Sequence, residues 1–141
     1  MSRVLKLCVL VLGFCLLLPC LGFADNGLIQ IVDMKTAQNI DEKYQPVNPT
    51  SSFSAETSKV FLWFKWKDGT VNSQINTQWT YLTENIPVLD YKVVIPRHEG
   101  SGGVALSMPE GKTLPPGEYE VRVETDKKNA LKSVKFRVLE S

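Results

Sequence analysis

Cysteine is missing from most of this chain. Its three cysteines, Cys8, Cys15 and Cys20, all fall within the first 20 of 141 residues. No disulfide can form beyond position 20, so the folded part must be stabilised by its core alone. Histidine is almost as scarce, with His98 the single one. One imidazole without a downstream cysteine excludes the usual zinc sets. Asp25, Asp33, Asp41, Asp68, Asp90 and Asp126 stand singly, without the clustered carboxylates and sharp-turn glycine of a calcium loop. No metal and no cofactor is expected. A charge excess is also lacking, with 16 basic residues against 15 acidic ones. These charges interleave and build no basic stripe, which excludes nucleic acid and an anionic membrane surface as partners. Beyond the N-terminal segment no helical period, internal repeat or coiled-coil heptad is present.

That N-terminal segment has a different purpose. Arg3 and Lys6 precede an apolar run over residues 7–18, and Gly22-Phe23-Ala24 then supplies small residues where a signal peptidase reads. The run reaches only about 18 Å as a helix, against about 30 Å of bilayer hydrocarbon, so it reads as a cleaved signal peptide rather than an anchor. Pro19 stands where a lipidated cysteine would be preceded by a small residue, which disfavours lipid attachment at Cys20. Cleavage near Ala24 would leave a periplasmic or secreted chain with no membrane span. Losing Arg3 and Lys6 takes the basic count from 16 to 14 against 15 acids, a net charge of −1.

What the remaining chain does have is period-two alternation. Tyr119, Val121 and Val123 alternate with Glu118, Glu120, Arg122 and Glu124. After a polar loop, Val134, Phe136 and Val138 alternate with Lys135 and Arg137. Such strands bury one face and wet the other. Upstream, further strands are expected over residues 27–35, 59–67, 74–81, 91–95 and 104–108. Asp68-Gly69 reads as a hairpin turn between 59–67 and 74–81, with the glycine supplying positive φ. Asn85-Ile86-Pro87 reads as a break, and His98-Glu99-Gly100-Ser101-Gly102-Gly103 as a flexible loop. Residues 36–58 are polar and proline-bearing. Either the first strand belongs to the sandwich and a long loop returns from it, or the residues before about 52 form an extension along an edge, with Phe53 anchoring the return.

Leu114-Pro115-Pro116-Gly117-Glu118-Tyr119-Glu120-Val121-Arg122-Val123, with Phe136-Arg137-Val138 after it, resembles the last two strands of bacterial exported immunoglobulin-like domains of the Ig or fibronectin-III type. The strand bearing Trp79 is similar to their central tryptophan strand. The resemblance runs from about Phe53 onward. It implies an all-β, antiparallel two-sheet sandwich of about seven strands, disulfide-free because the antibody-type cysteine pair is absent. It implies nothing about activity. For Tyr119 it implies a tyrosine corner, the hydroxyl bonding nearby backbone; an ordinary core tyrosine is the other reading. The expected organisation is a signal peptide over 1–24, an N-terminal strand and extended polar segment over 25–52, and the sandwich over 53–141.

Catalytic constellations are poor. His98 has Glu99 and Ser101 beside it, but triad members converge from separate elements and an exposed loop histidine is the better reading. Gly100-Ser101-Gly102-Gly103 leads into no helix that could hold a phosphate. Glu118, Glu120 and Glu124 alternate out to water rather than into an apolar site that would raise a carboxyl pKa. No enzymatic activity is expected.

Residues 60–66, Val-Phe-Leu-Trp-Phe-Lys-Trp, are apolar on both strand faces. Val60, Leu62, Phe64 and Trp66 form the more uniform set and are assigned inward, pairing with Ile75, Thr77 and Trp79. Phe61, Trp63 and Lys65 then point outward and are the candidate binding residues. Two-layer sandwiches bury one face of each strand, so the outer rings need a cover: residues 36–58, a second copy of the chain, or a ligand. The function expected from this is a non-catalytic interaction module engaging an envelope or secreted protein through a sheet edge or the aromatic strand face. The alternative is a carbohydrate-binding module stacking sugars on Phe61 and Trp63. A homodimer is a further expected association. Intact-mass spectrometry of the exported form is expected to give a chain starting at Asp25; a chain retaining Met1, or a lipid on Cys20, would refute the processing.

Overall fold

The computed structural model describes residues 29–125 and 129–141. The signal segment with its cleavage site, and Asp126-Lys127-Lys128, lie outside the described residues. Among the described residues nine strands run in chain order: β1 Gln30–Ile40, β2 Pro46–Pro49, β3 Ser52–Phe53, β4 Lys59–Lys67, β5 Gln74–Tyr81, β6 Ile86–Val94, β7 Gly100–Ser107, β8 Gly117–Thr125 and β9 Ala130–Val138. They form two sheets, one ordered β2-β1-β4-β7 and the other β3-β9-β8-β5-β6. Pairing is antiparallel throughout except for a two-residue parallel contact of β3 with β9. The two strands beyond the expected seven, β2 and β3, are short pieces of the proline-bearing segment.

The first strand belongs to the sandwich. β1 lies between β2 and β4, in register from Gln30↔Lys67 to Ala37↔Phe61. The polar segment after it is not a bare loop. It turns back as β2 and then delivers β3, where Phe53 is buried and Leu139 donates its N–H to the Phe53 carbonyl at 2.8 Å.

The core between the sheets is built on the alternation seen in the sequence. Val60, Leu62, Phe64 and Trp66 of β4 face Ile75 and Trp79 of β5, Tyr119, Val121 and Val123 of β8, and Phe136 and Val138 of β9. Val134 is half-buried against them. Phe136 is the hub of the aromatic packing. Its ring stacks on Tyr119 at 4.9 Å and meets Phe53 and Trp79 edge-on at 5.6 and 6.1 Å. Such arrangements are the favoured ones for rings carrying quadrupoles.

Asp68-Gly69 does not close a hairpin. β4 and β5 lie in opposite sheets, so this turn carries the chain across the sandwich. The reason is that the apolar faces of β4 and β5 are opposite walls of one core and cannot share a sheet face. Asp68, not Gly69, takes the left-handed conformation, with φ of 57°. The crossing is tied to the neighbouring β6–β7 crossing, where Gly69 donates its N–H to the His98 carbonyl at 2.8 Å and Asn72 to that of Ile95 at 2.8 Å.

Two further expectations are corrected. Asn85 makes the turn, with φ of 56°, but β6 begins directly at Ile86 and tolerates Pro87 because it is an edge strand with a bulge there. Residues 100–103 are not a flexible loop; they open β7 and pair with β4, Trp66↔Gly100 through Trp63↔Gly103. Glycine signals space here rather than mobility. A Cβ at Gly103 would collide with Ile40 Cδ1 and the Leu62 carbonyl oxygen.

Tyr119 is a tyrosine corner. Its hydroxyl donates to the Pro115 carbonyl at 2.6 Å, and Tyr81 donates to the adjacent Pro116 carbonyl at 2.6 Å. Gly117 follows with φ of 143°, and a side chain there would strike Tyr81 and Thr83. Burial, and then the neighbouring Tyr81, push the Tyr119 phenol up from 10.0 to about 12. The fold therefore favours the neutral phenol. Its contribution is complete below pH 10.0 and is lost as pH rises towards about 12, because the unfolded chain sheds that proton first. Urea midpoints are expected to fall across this window for the wild type. The fall should flatten in Tyr119→Phe, and an unchanged slope would refute the assignment.

Candidate functional site

The outer face of the four-stranded sheet carries the candidate residues in three cross-strand rows. These are Ala37–Phe61–Ala105, Lys35–Trp63–Gly103 and Asp33–Lys65–Ser101. Alternation thus places Phe61, Trp63 and Lys65 on one side of β4 and the core set on the other, in the assigned register.

The three residues do not form an open platform. Trp63 is only 4% exposed, although it lies outside the main core. Pairing of β1 with β4 stops at Ala37, and the β1–β2 hairpin passes over this face. Ile40 reaches Gly103, and the tip places the Tyr44 carbonyl where the Trp63 indole N–H donates to it at 2.7 Å. The Ser101 hydroxyl donates to the same oxygen at 3.1 Å. The tip is held by Asp41, whose Oδ1 accepts from the N–H groups of Lys43 at 2.9 Å and Gln45 at 3.0 Å. Tyr44 itself has φ of 59°. From the other side the Lys35 ammonium lies 5.5 Å from the Trp63 ring centroid. Of the three covers considered, the chain's own hairpin occupies the site. Phe61 is half-buried with the Lys59 ammonium 5.3 Å above it, and Lys65 is exposed.

The other candidates have structural surroundings. His98 Nδ1 lies 2.8 Å from the Gly69 carbonyl, where it ties one sheet crossing to the other. Among the described residues, no group of three or more His, Cys, Asp or Glu side chains is placed to hold a metal ion. On β8, Arg122 and Glu120 stand 3.9 Å apart. Glu124 departs from the expectation of a fully wetted face. It is buried, at a bulge that follows Val123.

The surface that sequence reading missed is β6. It is the free edge of the five-stranded sheet and exposes Ile86, Val88, Tyr91 and Val94. Leu89, Tyr91 and Val93 pair with Trp79, Thr77 and Ile75 and so lie on the core-facing side; Asp90, Lys92 and Val94 lie on the outer side. Ile95 directs both backbone groups to the β5 side, to Ser73 and Asn72. By alternation Asp90, Lys92 and Val94 direct theirs away from the sheet. Of the other edges, β2 has four residues with a proline at each end and β3 only two residues, while β7, the eight-residue edge of the four-stranded sheet, begins with three glycines in four residues and exposes no large apolar side chain. Pro87 was the readable signal, since proline inside a strand belongs at an edge.

A scan against family models and a search of curated protein sequences return no match. Among solved structures, the chain is similar to an immunoglobulin-like protein from Pseudomonas aeruginosa, with a TM-score of 0.55 and 12% identity over 80% of this chain and 98% of that one. The fold is an immunoglobulin-like β-sandwich. A Niemann-Pick type C2 protein from the Japanese carpenter ant aligns at a TM-score of 0.43 and 11% identity, over 80% of this chain and 92% of that one.

If the hairpin cover is structural, Trp63→Ala should destabilise the immunoglobulin-like domain by about 3–5 kcal/mol. Trp63→Phe, which keeps most of the ring but loses the N–H donor, should cost about 1 kcal/mol. Urea unfolding measures both, and a loss below about 1 kcal/mol for the alanine variant would refute the cover.

Proposed function

We propose that the chain is an exported, non-catalytic interaction domain that receives an extended polypeptide strand along the free edge of β6. The observation that carries this is the combination on one strand of outward-directed backbone groups and four exposed large apolar side chains. Strand addition uses these two features together: main-chain hydrogen bonds give affinity, and alternate side chains give selectivity. Edge strands otherwise invite aggregation and are guarded. β6 has Pro87 and a bulge at one end but is regular from Leu89 to Val94. Export rests on the signal-like residues 1–24. Sugar stacking is less well supported, because Trp63 already has its indole N–H bonded and its surface covered.

Lys92→Pro is the discriminating variant. It deletes a donor aimed at the free edge while leaving the β5 ladder intact, a position where proline is tolerated. Affinity capture from a cell-envelope extract is expected to retain protein on the wild type and to lose it on Lys92→Pro at unchanged melting temperature. Capture that survives this substitution and is instead competed by glycans would overturn the edge reading.

A further inference from the structure

We infer that the strand received by β6 is β6 of a second copy of this chain, paired antiparallel about a two-fold axis through Tyr91. This rests on the edge reading above and names its partner. In an antiparallel pair, directly opposed side chains share a face, so a two-fold axis normal to the sheet must pass through a residue and not between two. The charges on β6 then select the residue. An axis at Asp90 sets that carboxylate against its own copy, and an axis at Lys92 does the same to the ammonium. Like charges directly opposed are destabilising. An axis at Tyr91 places Asp90 opposite the partner's Lys92 and Lys92 opposite the partner's Asp90. It is the one symmetric register over Leu89–Val94 that makes opposite-charge pairs.

The backbone agrees with this choice. Asp90 and Lys92 point their N–H and carbonyl groups at the free edge, so the two charged pairs are also the hydrogen-bonded pairs. Tyr91 uses its carbonyl on its own sheet, accepting from the Thr77 hydroxyl at 3.0 Å. It therefore meets the partner's Tyr91 as a non-hydrogen-bonded pair, the closer of the two kinds of contact. Tyr91 is 53% exposed although it lies on the core-facing side of the strand. A second tyrosine across the axis would cover it, with Leu89 and the partner's Val93 continuing the apolar row. The two five-stranded sheets become one continuous sheet. Asp90 and Lys92, which would repel many foreign strands, become the device that admits this one.

Sedimentation equilibrium of the exported chain over a concentration series tests the pairing. The wild type should show a reversible monomer–dimer equilibrium. Asp90→Lys and Lys92→Asp should each weaken it by roughly tenfold, since either change sets two like-charge pairs against each other. The double exchange Asp90→Lys with Lys92→Asp should restore it to within about threefold at unchanged melting temperature, because the pairs re-form with reversed sign. Amide hydrogen exchange should show protection of Asp90, Lys92 and Val94 that grows with concentration. A chain that remains monomeric, or a dimer indifferent to the charge exchange, overturns the self-pairing. The edge reading is judged separately by the Lys92→Pro capture comparison, which needs no self-association.

Discussion

A strand that is apolar on both faces must be covered twice, and a two-layer sandwich supplies only one cover. β4 imposes that constraint on the whole four-stranded sheet. Its inner side takes the common core with β5, β8 and β9. Its outer side forces β1 to part from it after Ala37 and send a hairpin back across the sheet. The same demand thins β7, where Gly103 leaves room for Ile40 beside Trp63. The burial of β4 on both sides is thus achieved within a single chain. On the opposite sheet, β6 gathers four exposed large apolar side chains on one strand without an intramolecular cover.

Wherever one rule governed a residue, the sequence was legible. Period-two alternation located β8, β9, β5 and β4 and assigned their inward faces, because a shift of one residue would expose an entire apolar row. Leu114-Pro115-Pro116-Gly117 and Tyr119 marked the corner, since few other residues could provide its positive φ and hydroxyl. Legibility failed where one residue type serves two purposes. Gly69 looked like a turn glycine, yet Asp68 takes the left-handed angle and the chain changes sheets. Gly100 and Gly103 looked like slack and proved to be clearance, Gly100 for the Trp66 indole and Gly103 for Ile40 and the Leu62 carbonyl.

The candidate site was legible in its facing but not in its accessibility. Alternation placed Phe61 and Trp63 outward, but whether a side chain is covered depends on segments far away in sequence. Tyr44, which caps Trp63, sits in a stretch whose composition reads as loop. The β6 surface failed in the reverse direction. Tyr91 looks like a core residue, and only the strand order reveals that, among the described residues, no strand lies beyond it.

The contact between Ile40 and Gly103 joins positions 63 apart in the chain. It is only half of what closes position 103. A methyl group added there meets the Ile40 Cδ1 and also the Leu62 carbonyl oxygen. The second obstacle belongs to the backbone of the neighbouring strand, so a smaller residue at 40 would not open the site. Substitution at 103 is therefore barred by the sheet itself, and no change of side chain on the hairpin can compensate for it.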